Sequence, residues 1–164
     1  MRQRPAPNQL VALATSQPRS HEMSHQEVET VKHEIEPIEH KIEPTEHSFE
    51  ATQSSGLVSA LLMCPANADC LLVLGHGAGA GMRHVFMETL AGHLADRRIA
   101  TFRYQFPYTE EGRRRPDFQP ILLKTVRSAI SAASALSDGL PLFAGGKSMG
   151  GRMTSLAASK GPLA

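Results

Sequence analysis

The run Gly146-Lys-Ser-Met-Gly150 has the spacing G-x-S-x-G. It follows a short apolar run at 140–144 and opens a stretch with helical character at 149–159. A strand that turns sharply into a helix lifts a serine hydroxyl clear of the sheet. Gly146 and Gly150 keep the inside of such a turn free of side chains, and Gly151 lets the helix approach closely. The helix start also offers unpaired N–H groups and the positive end of the dipole, where negative charge can develop. These are the needs of acyl transfer from a serine nucleophile, Ser148. A phosphate-binding P-loop is the competing reading, but it requires Gly at position 141, which is Pro.

A second glycine-rich segment, Gly75-His-Gly-Ala-Gly-Ala-Gly81, also follows an apolar run. Acyl transfer needs backbone N–H donors around the developing oxyanion, and a His-Gly loop after an early strand is one source of them. A dinucleotide loop would need Gly where Ala80 stands, and residues 98–103 lack the acidic residue that would hold a ribose. His76 is expected to brace this loop rather than act as a base. Arg113-Arg-Arg115 lies in a long segment after Tyr104-Gln-Phe-Pro-Tyr108. It could pair with a substrate carboxylate or phosphate, although a solvated basic loop is the simpler reading.

The elements that would position these residues follow from periodicity. Apolar runs at 57–63, 70–74, 99–103 and 140–144 read as strands, and 83–98, 118–136 and 149–159 as helices. Val85, Phe86, Leu90 and Leu94 form the expected inner face of the first helix. Alternating strands and helices imply βαβ units, hence an α/β fold with a mostly parallel sheet flanked by helices.

Three segments together carry a resemblance: Leu71-Leu-Val-Leu-Gly-His-Gly-Ala-Gly-Ala-Gly-Met, Ala100-Thr-Phe-Arg-Tyr-Gln-Phe-Pro-Tyr and Phe143-Ala-Gly-Gly-Lys-Ser-Met-Gly-Gly-Arg152. In this order they resemble the α/β-hydrolase superfamily. The resemblance is closest to its dienelactone-hydrolase-like branch, which includes a testis-expressed protein and a subunit of the nonspecific-lethal chromatin complex. It implies Ser148 as nucleophile, Met149 and Ala78 as oxyanion-hole donors, and Gly75, Gly77, Gly79, Gly146, Gly150 and Gly151 as loop and turn glycines. It implies hydrolysis of ester, thioester or related acyl bonds without a cofactor. The family's chain order is Ser, then acid, then His. All eight His here precede Ser148, so the chain is expected to be the amino-terminal half of the domain, truncated after the helix that follows Ser148. It is then expected to lack triad-dependent activity. The alternative reading is a non-catalytic hydrolase-fold scaffold for protein interaction.

Residues 1–55 contrast with the rest. Residues 21–55 carry a net charge of −7, and residues 56–164 a net charge of +5. His33-Glu-Ile-Glu-Pro-Ile-Glu39, His40-Lys-Ile-Glu-Pro-Thr-Glu46 and His47-Ser-Phe-Glu50 form a near-repeat of seven. Pro37 and Pro44 forbid a continuous helix, so 1–55 is expected to be a disordered acidic tail, with 56–164 the folded domain. Metal capture by the evenly spaced His33, His40 and His47 is disfavoured, because flexible ligands bind weakly. Cys64 and Cys70 make neither a disulfide framework nor a metal motif. No apolar run has the length of about 20 residues that crosses a bilayer. A cytoplasmic protein is expected, with a small-molecule acyl substrate, room for a protein partner, and neither nucleic acid nor membrane as partner.

Overall fold

The computed structural model describes residues 42–163. Five strands form one mixed sheet: β1 (Thr45–Thr52), β2 (Gly56–Met63), β3 (Cys70–Gly75), β4 (Ile99–Tyr104) and β5 (Leu142–Gly146), in the order β1-β2-β4-β3-β5. Among the described residues, four helices accompany them: α1 (Val85–Ala95), α2 (Pro107–Glu110), α3 (Gln119–Leu136) and α4 (Met149–Ser159). The β3–β4 and β3–β5 pairs are parallel, and the β1–β2 and β2–β4 pairs antiparallel. The parallel part is the βαβ core expected from the alternation of strands and helices.

The antiparallel part includes a strand within the segment expected to be disordered, which corrects the boundary at 55. In β1 the side chains of Phe49 and Ala51 are buried while Ser48 and Glu50 are exposed. This is the period of two that a half-buried strand requires. Phe49 packs on Phe102 and Tyr104 with ring centroids 6.1 Å apart in each case. The register runs from Thr45↔Leu62 to Thr52↔Gly56. A three-residue loop closes the hairpin, held by Ser55 N–H donating to Thr52 O at 3.1 Å, with Gly56 at φ 70°. A positive φ at this position is the usual way a three-residue hairpin regains the twist of its strands. His47 therefore sits in a strand, with Nε2 2.9 Å from Thr45 Oγ1. His33, His40 and the rest of 1–41 lie outside the described residues.

Two element boundaries moved for identifiable reasons. β5 begins two residues later than expected, because Pro141 has no N–H to give a ladder. The turn before it passes through Asp138 and Gly139 at φ 48° and 81°, and Pro141 O accepts Leu71 N–H at 3.0 Å. The first helix is shorter than 83–98 and buries a different face. His84 caps it, its Nδ1 accepting Phe86 N–H at 3.2 Å, and Arg98 at φ 62° ends the turn that follows. Its buried residues are Met87, Ala91 and Ala95. Val85 and Phe86 face outward, at 70% and 43% exposure. Small Ala side chains allow the helix to lie close to the sheet, and periodicity weighted by bulk selects the wrong stripe.

The core lies between the sheet and α3, with Val126, Ala129, Ile130 and Ala133 against Val58, Val73, Ala100 and Phe102. β3 is the point where chain order reverses: β4 lies on one side of it and β5 on the other. Right-handed crossovers in opposite directions put their helices on opposite faces, and the strand ends between them open a crevice.

Candidate functional site

The crevice is built where β3 and β5 end side by side. Gly75 and Gly146 are register partners, and Lys147 N–H donates to Gly75 O at 3.0 Å. From there β5 turns directly into α4. Ser148 takes φ 51°, ψ −111° at the N-cap of that helix. This backbone is strained for a residue with a Cβ, at a cost of order 1–3 kcal/mol. The surroundings hold it there: Gly150 N–H donates to Lys147 O and Arg152 N–H to Ser148 O, each at 3.0 Å. A Cβ on Gly146 would meet Gly75 O at 2.5 Å and Gly151 N at 2.7 Å, and one on Gly150 would collide with the Gly75 backbone. Gly151 is equally closed, since its Cβ would lie 2.5 Å from Gly146 O. A Cβ on Gly75 would press on the Tyr104 hydroxyl at 2.8 Å. The turn thus requires these four glycines for steric room. Gly79 differs: nothing lies within 4 Å of its absent side chain.

The loop after β3 runs alongside. A Cβ on Gly77 would be 3.8 Å from the Ser148 Cβ and 3.7 Å from Lys147 O, so this loop lies against the turn. Three contacts hold its shape. Ala80 N–H donates to Gly77 O at 3.1 Å, and the Tyr108 hydroxyl donates to Ala78 O at 2.8 Å. His76, fully buried, is the third. Its Nδ1 lies 2.8 Å from Gly77 O, and its Nε2 accepts Phe106 N–H at 3.2 Å. The second bond leaves the proton on Nδ1 of a neutral ring. Burial pushes the imidazole below its ordinary pKa, against a smaller opposing effect of the Gly77 bond. With both nitrogens occupied, His76 braces the loop and is not a base for Ser148.

A cavity of about 450 Å³ opens over Ser148, lined also by Ala78, Met149, Pro116, Asp117, Gln119 and Arg152. Ser148 and Ala78 are exposed to it, and Met149 is buried. Among the described residues, the N–H groups of Ala78 and Met149 have no hydrogen-bond acceptor, and the Ser148 hydroxyl has no partner. Asp117 and Arg152 were not singled out from the sequence. Asp117 is fixed in place: its Oδ2 accepts Tyr108 N–H at 2.9 Å and its Oδ1 accepts Arg113 Nη2–H at 2.7 Å. Tyr108 and Asp117 thus tie the loop carrying Ala78 to the segment 113–117. The only available signal for Arg152 was its place one helical turn beyond Ser148. Arg113 and Arg115 border an adjoining cavity. No group of metal-binding side chains is found among the described residues.

Strand order, helix placement and the turn at Ser148 define an α/β-hydrolase fold. The chain belongs to the family of alpha/beta hydrolase domains, whose pattern matches residues 68–163. No curated protein matches it in sequence. Solved structures do match in fold. A dienelactone hydrolase from Anabaena variabilis is 17% identical with a TM-score of 0.58, over 72% of this chain and 58% of its own. An alpha-beta serine hydrolase homologue from Coxiella burnetii is 15% identical with a TM-score of 0.59, over 71% and 57%. A serine hydrolase without lid from Xanthomonas campestris is 15% identical with a TM-score of 0.60, over 72% and 56%. The chain therefore spans just over half the length of these structures. Among the described residues, no helix is long and apolar enough to cross a membrane.

Proposed function

We propose that the chain carries the nucleophile half of a serine hydrolase for ester, thioester or related acyl bonds, in the dienelactone-hydrolase-like branch. Ser148 is the nucleophile on its elbow, and the Met149 and Ala78 N–H groups receive the oxyanion. The observation that carries the reading is the strained backbone of Ser148, in a cavity it shares with two backbone donors that hydrogen-bond to nothing among the described residues. Such donors cost nothing to reorganise as charge develops.

A serine hydroxyl needs a base within hydrogen-bond reach. Among the described residues, no imidazole bonds to Ser148. That observation favours a second reading, in which the same turn belongs to a non-catalytic scaffold for a protein partner. Assays of the 164-residue chain on short-chain p-nitrophenyl esters separate the two. With the donors working without a base, turnover should stay well below about 1 s⁻¹. A residual acceleration of up to about 10³-fold over water should disappear in Ser148→Ala. Added imidazole, supplying the base from solution, should raise the Ser148-dependent part. Identical rates for the two proteins, with and without imidazole, would leave the scaffold reading. Turnover above about 1 s⁻¹ that needs Ser148 would show that a base is already in reach, and would return attention to His76.

A further inference from the structure

The loop that carries Ala78 closes as a β-turn, Gly77-Ala78-Gly79-Ala80, with Ala80 N–H donating to Gly77 O at 3.1 Å. Neither Ala78 nor Gly79 has a positive φ. A hydrogen-bonded turn with both central φ angles negative is type I. The residue types favour the alternative at least as well. Type II needs a positive φ at its third residue, which glycine adopts freely, and that residue is Gly79. No steric bar opposes it, since nothing lies within 4 Å of the absent Gly79 side chain. The two turns differ by about a half-rotation of one peptide, Ala78–Gly79. In the type I form both central residues are close to helical, so their N–H groups point one way and their carbonyls the other. Ala78 O then faces away from the side that Ala78 N–H serves. In the type II form it swings to that side and sets a negative end beside the donor.

The contact that distinguishes the two forms is the Tyr108 hydroxyl, which donates to Ala78 O at 2.8 Å from a buried ring. That ring is itself fixed. Phe106 stacks on it with centroids 6.4 Å apart, and His76 lies 6.1 Å away. Tyr108 N–H donates to Asp117 Oδ2 at 2.9 Å, and Arg113 holds the other oxygen of Asp117. Burial raises the phenol above its ordinary pKa, so the proton that makes the bond stays on at neutral pH. The preceding peptide, Gly77–Ala78, is held separately, through the His76 and Ala80 contacts to Gly77 O. We propose that Tyr108 is a positioning residue, whose hydroxyl locks the Gly77–Ala80 turn in the peptide state that presents Ala78 N–H, and not Ala78 O, to the cavity over Ser148. The proposal rests on the serine-hydrolase reading for its catalytic consequence and deepens it. An oxyanion forming at Ser148 meets preorganised donors in the locked state. In the flipped state a carbonyl oxygen stands next to one of them and repels the developing charge.

Tyr108→Phe removes the hydroxyl and keeps the ring, and two measurements on the whole chain read the result. ¹⁵N relaxation dispersion at the Ala78, Gly79 and Ala80 amides follows the turn without any turnover. It should be flat in the parent chain and show microsecond-to-millisecond exchange in the variant. Hydrolysis of p-nitrophenyl acetate with imidazole supplied follows the consequence. The Ser148-dependent kcat should fall about tenfold in Tyr108→Phe, less than the roughly 10²–10³-fold for outright loss of an oxyanion donor. KM should stay unchanged, because the donor acts in the transition state. Gly79→Ala added to Tyr108→Phe should quiet the exchange and recover most of kcat, since a Cβ opposes the positive φ of the flipped turn. Thr125→Val is the control. It removes another buried hydroxyl, bonded to Ile121 O at 2.9 Å, and should alter neither measurement. Exchange that is equal in parent and variant, or that persists with Gly79→Ala, overturns the proposal. So does a kcat that Tyr108→Phe leaves unchanged or that Thr125→Val lowers equally. A parent chain without Ser148-dependent hydrolysis counts against the hydrolase reading alone, and the amide exchange then decides the lock by itself.

Discussion

His76 is the residue most easily mistaken for a catalytic base, and its environment gives a checkable signature. Burial holds the folded-state pKa below the ordinary imidazole value of 6.5. The unfolded chain then takes up a proton at a pH where the folded one does not, so stability rises with pH in that window. At pH 7 the effect is absent. As the pH falls below about 6.5 stability should be lost, and the loss should level off only below the depressed folded pKa. His76→Gln, which keeps polar atoms near both partners, should flatten the slope of urea-unfolding free energy between pH 7 and 5. An equally steep slope in the variant would show that the proton is taken up elsewhere. The bracing role was legible because a His between Gly75 and Gly77, just after a strand, has backbone groups within reach. The charge arrangement was not legible. Asp117 accepts Arg113 Nη2–H on one oxygen and Tyr108 N–H on the other, pairings that no spacing motif encodes.

At the level of elements, the parallel core was readable and the first strand was not. β3, β4 and β5 are short continuous apolar runs, the signature of strands buried on both faces. β1 offers only Phe49 and Ala51 as buried apolar positions, next to Pro44 and within a charged near-repeat. Its strand conformation is supplied by the partner: the register against β2, the Gly56 hairpin, and the rings of Phe102 and Tyr104. The acidic segment contributes one further tie, Glu46 to Arg83 at 2.6 Å, an exposed pair worth little by itself. If β1 is an integral strand, Phe49→Ala should cost about 3–5 kcal/mol of unfolding free energy, the range for removing a buried aromatic ring. A loss below about 1 kcal/mol in denaturant titrations would mean that 45–52 is a loosely held arm, as its composition suggests.

At the scale of the whole sheet, the two edges seen among the described residues differ in character. β1 presents Glu46, Ser48 and Glu50 to solvent, charge that discourages another strand from pairing there. β5, at the far edge, pairs only with β3 among the described residues, and shows Phe143 at 59% exposure. An exposed apolar edge strand invites pairing with a second chain. The 164-residue chain should therefore associate as its concentration rises in sedimentation velocity, and Phe143→Lys should shift it towards the monomer. No concentration dependence in either protein would show that the edge is protected.

In the serine-hydrolase reading, the backbone at Ser148 sets function against stability. Glycine would occupy φ 51°, ψ −111° more readily than serine, whose Cβ makes the angle costly. Ser148→Gly should raise the melting temperature by a few degrees, equivalent to about 1 kcal/mol or slightly more. A lower melting temperature would show that the hydroxyl itself supports the fold. A gain would mean that serine at this position is a liability to the folded chain. Random substitution, left to stability alone, would favour replacing it. A protein serving only as a scaffold would have no reason to bear that burden, so the direction of the shift bears on whether selection has been acting on the hydroxyl's chemistry.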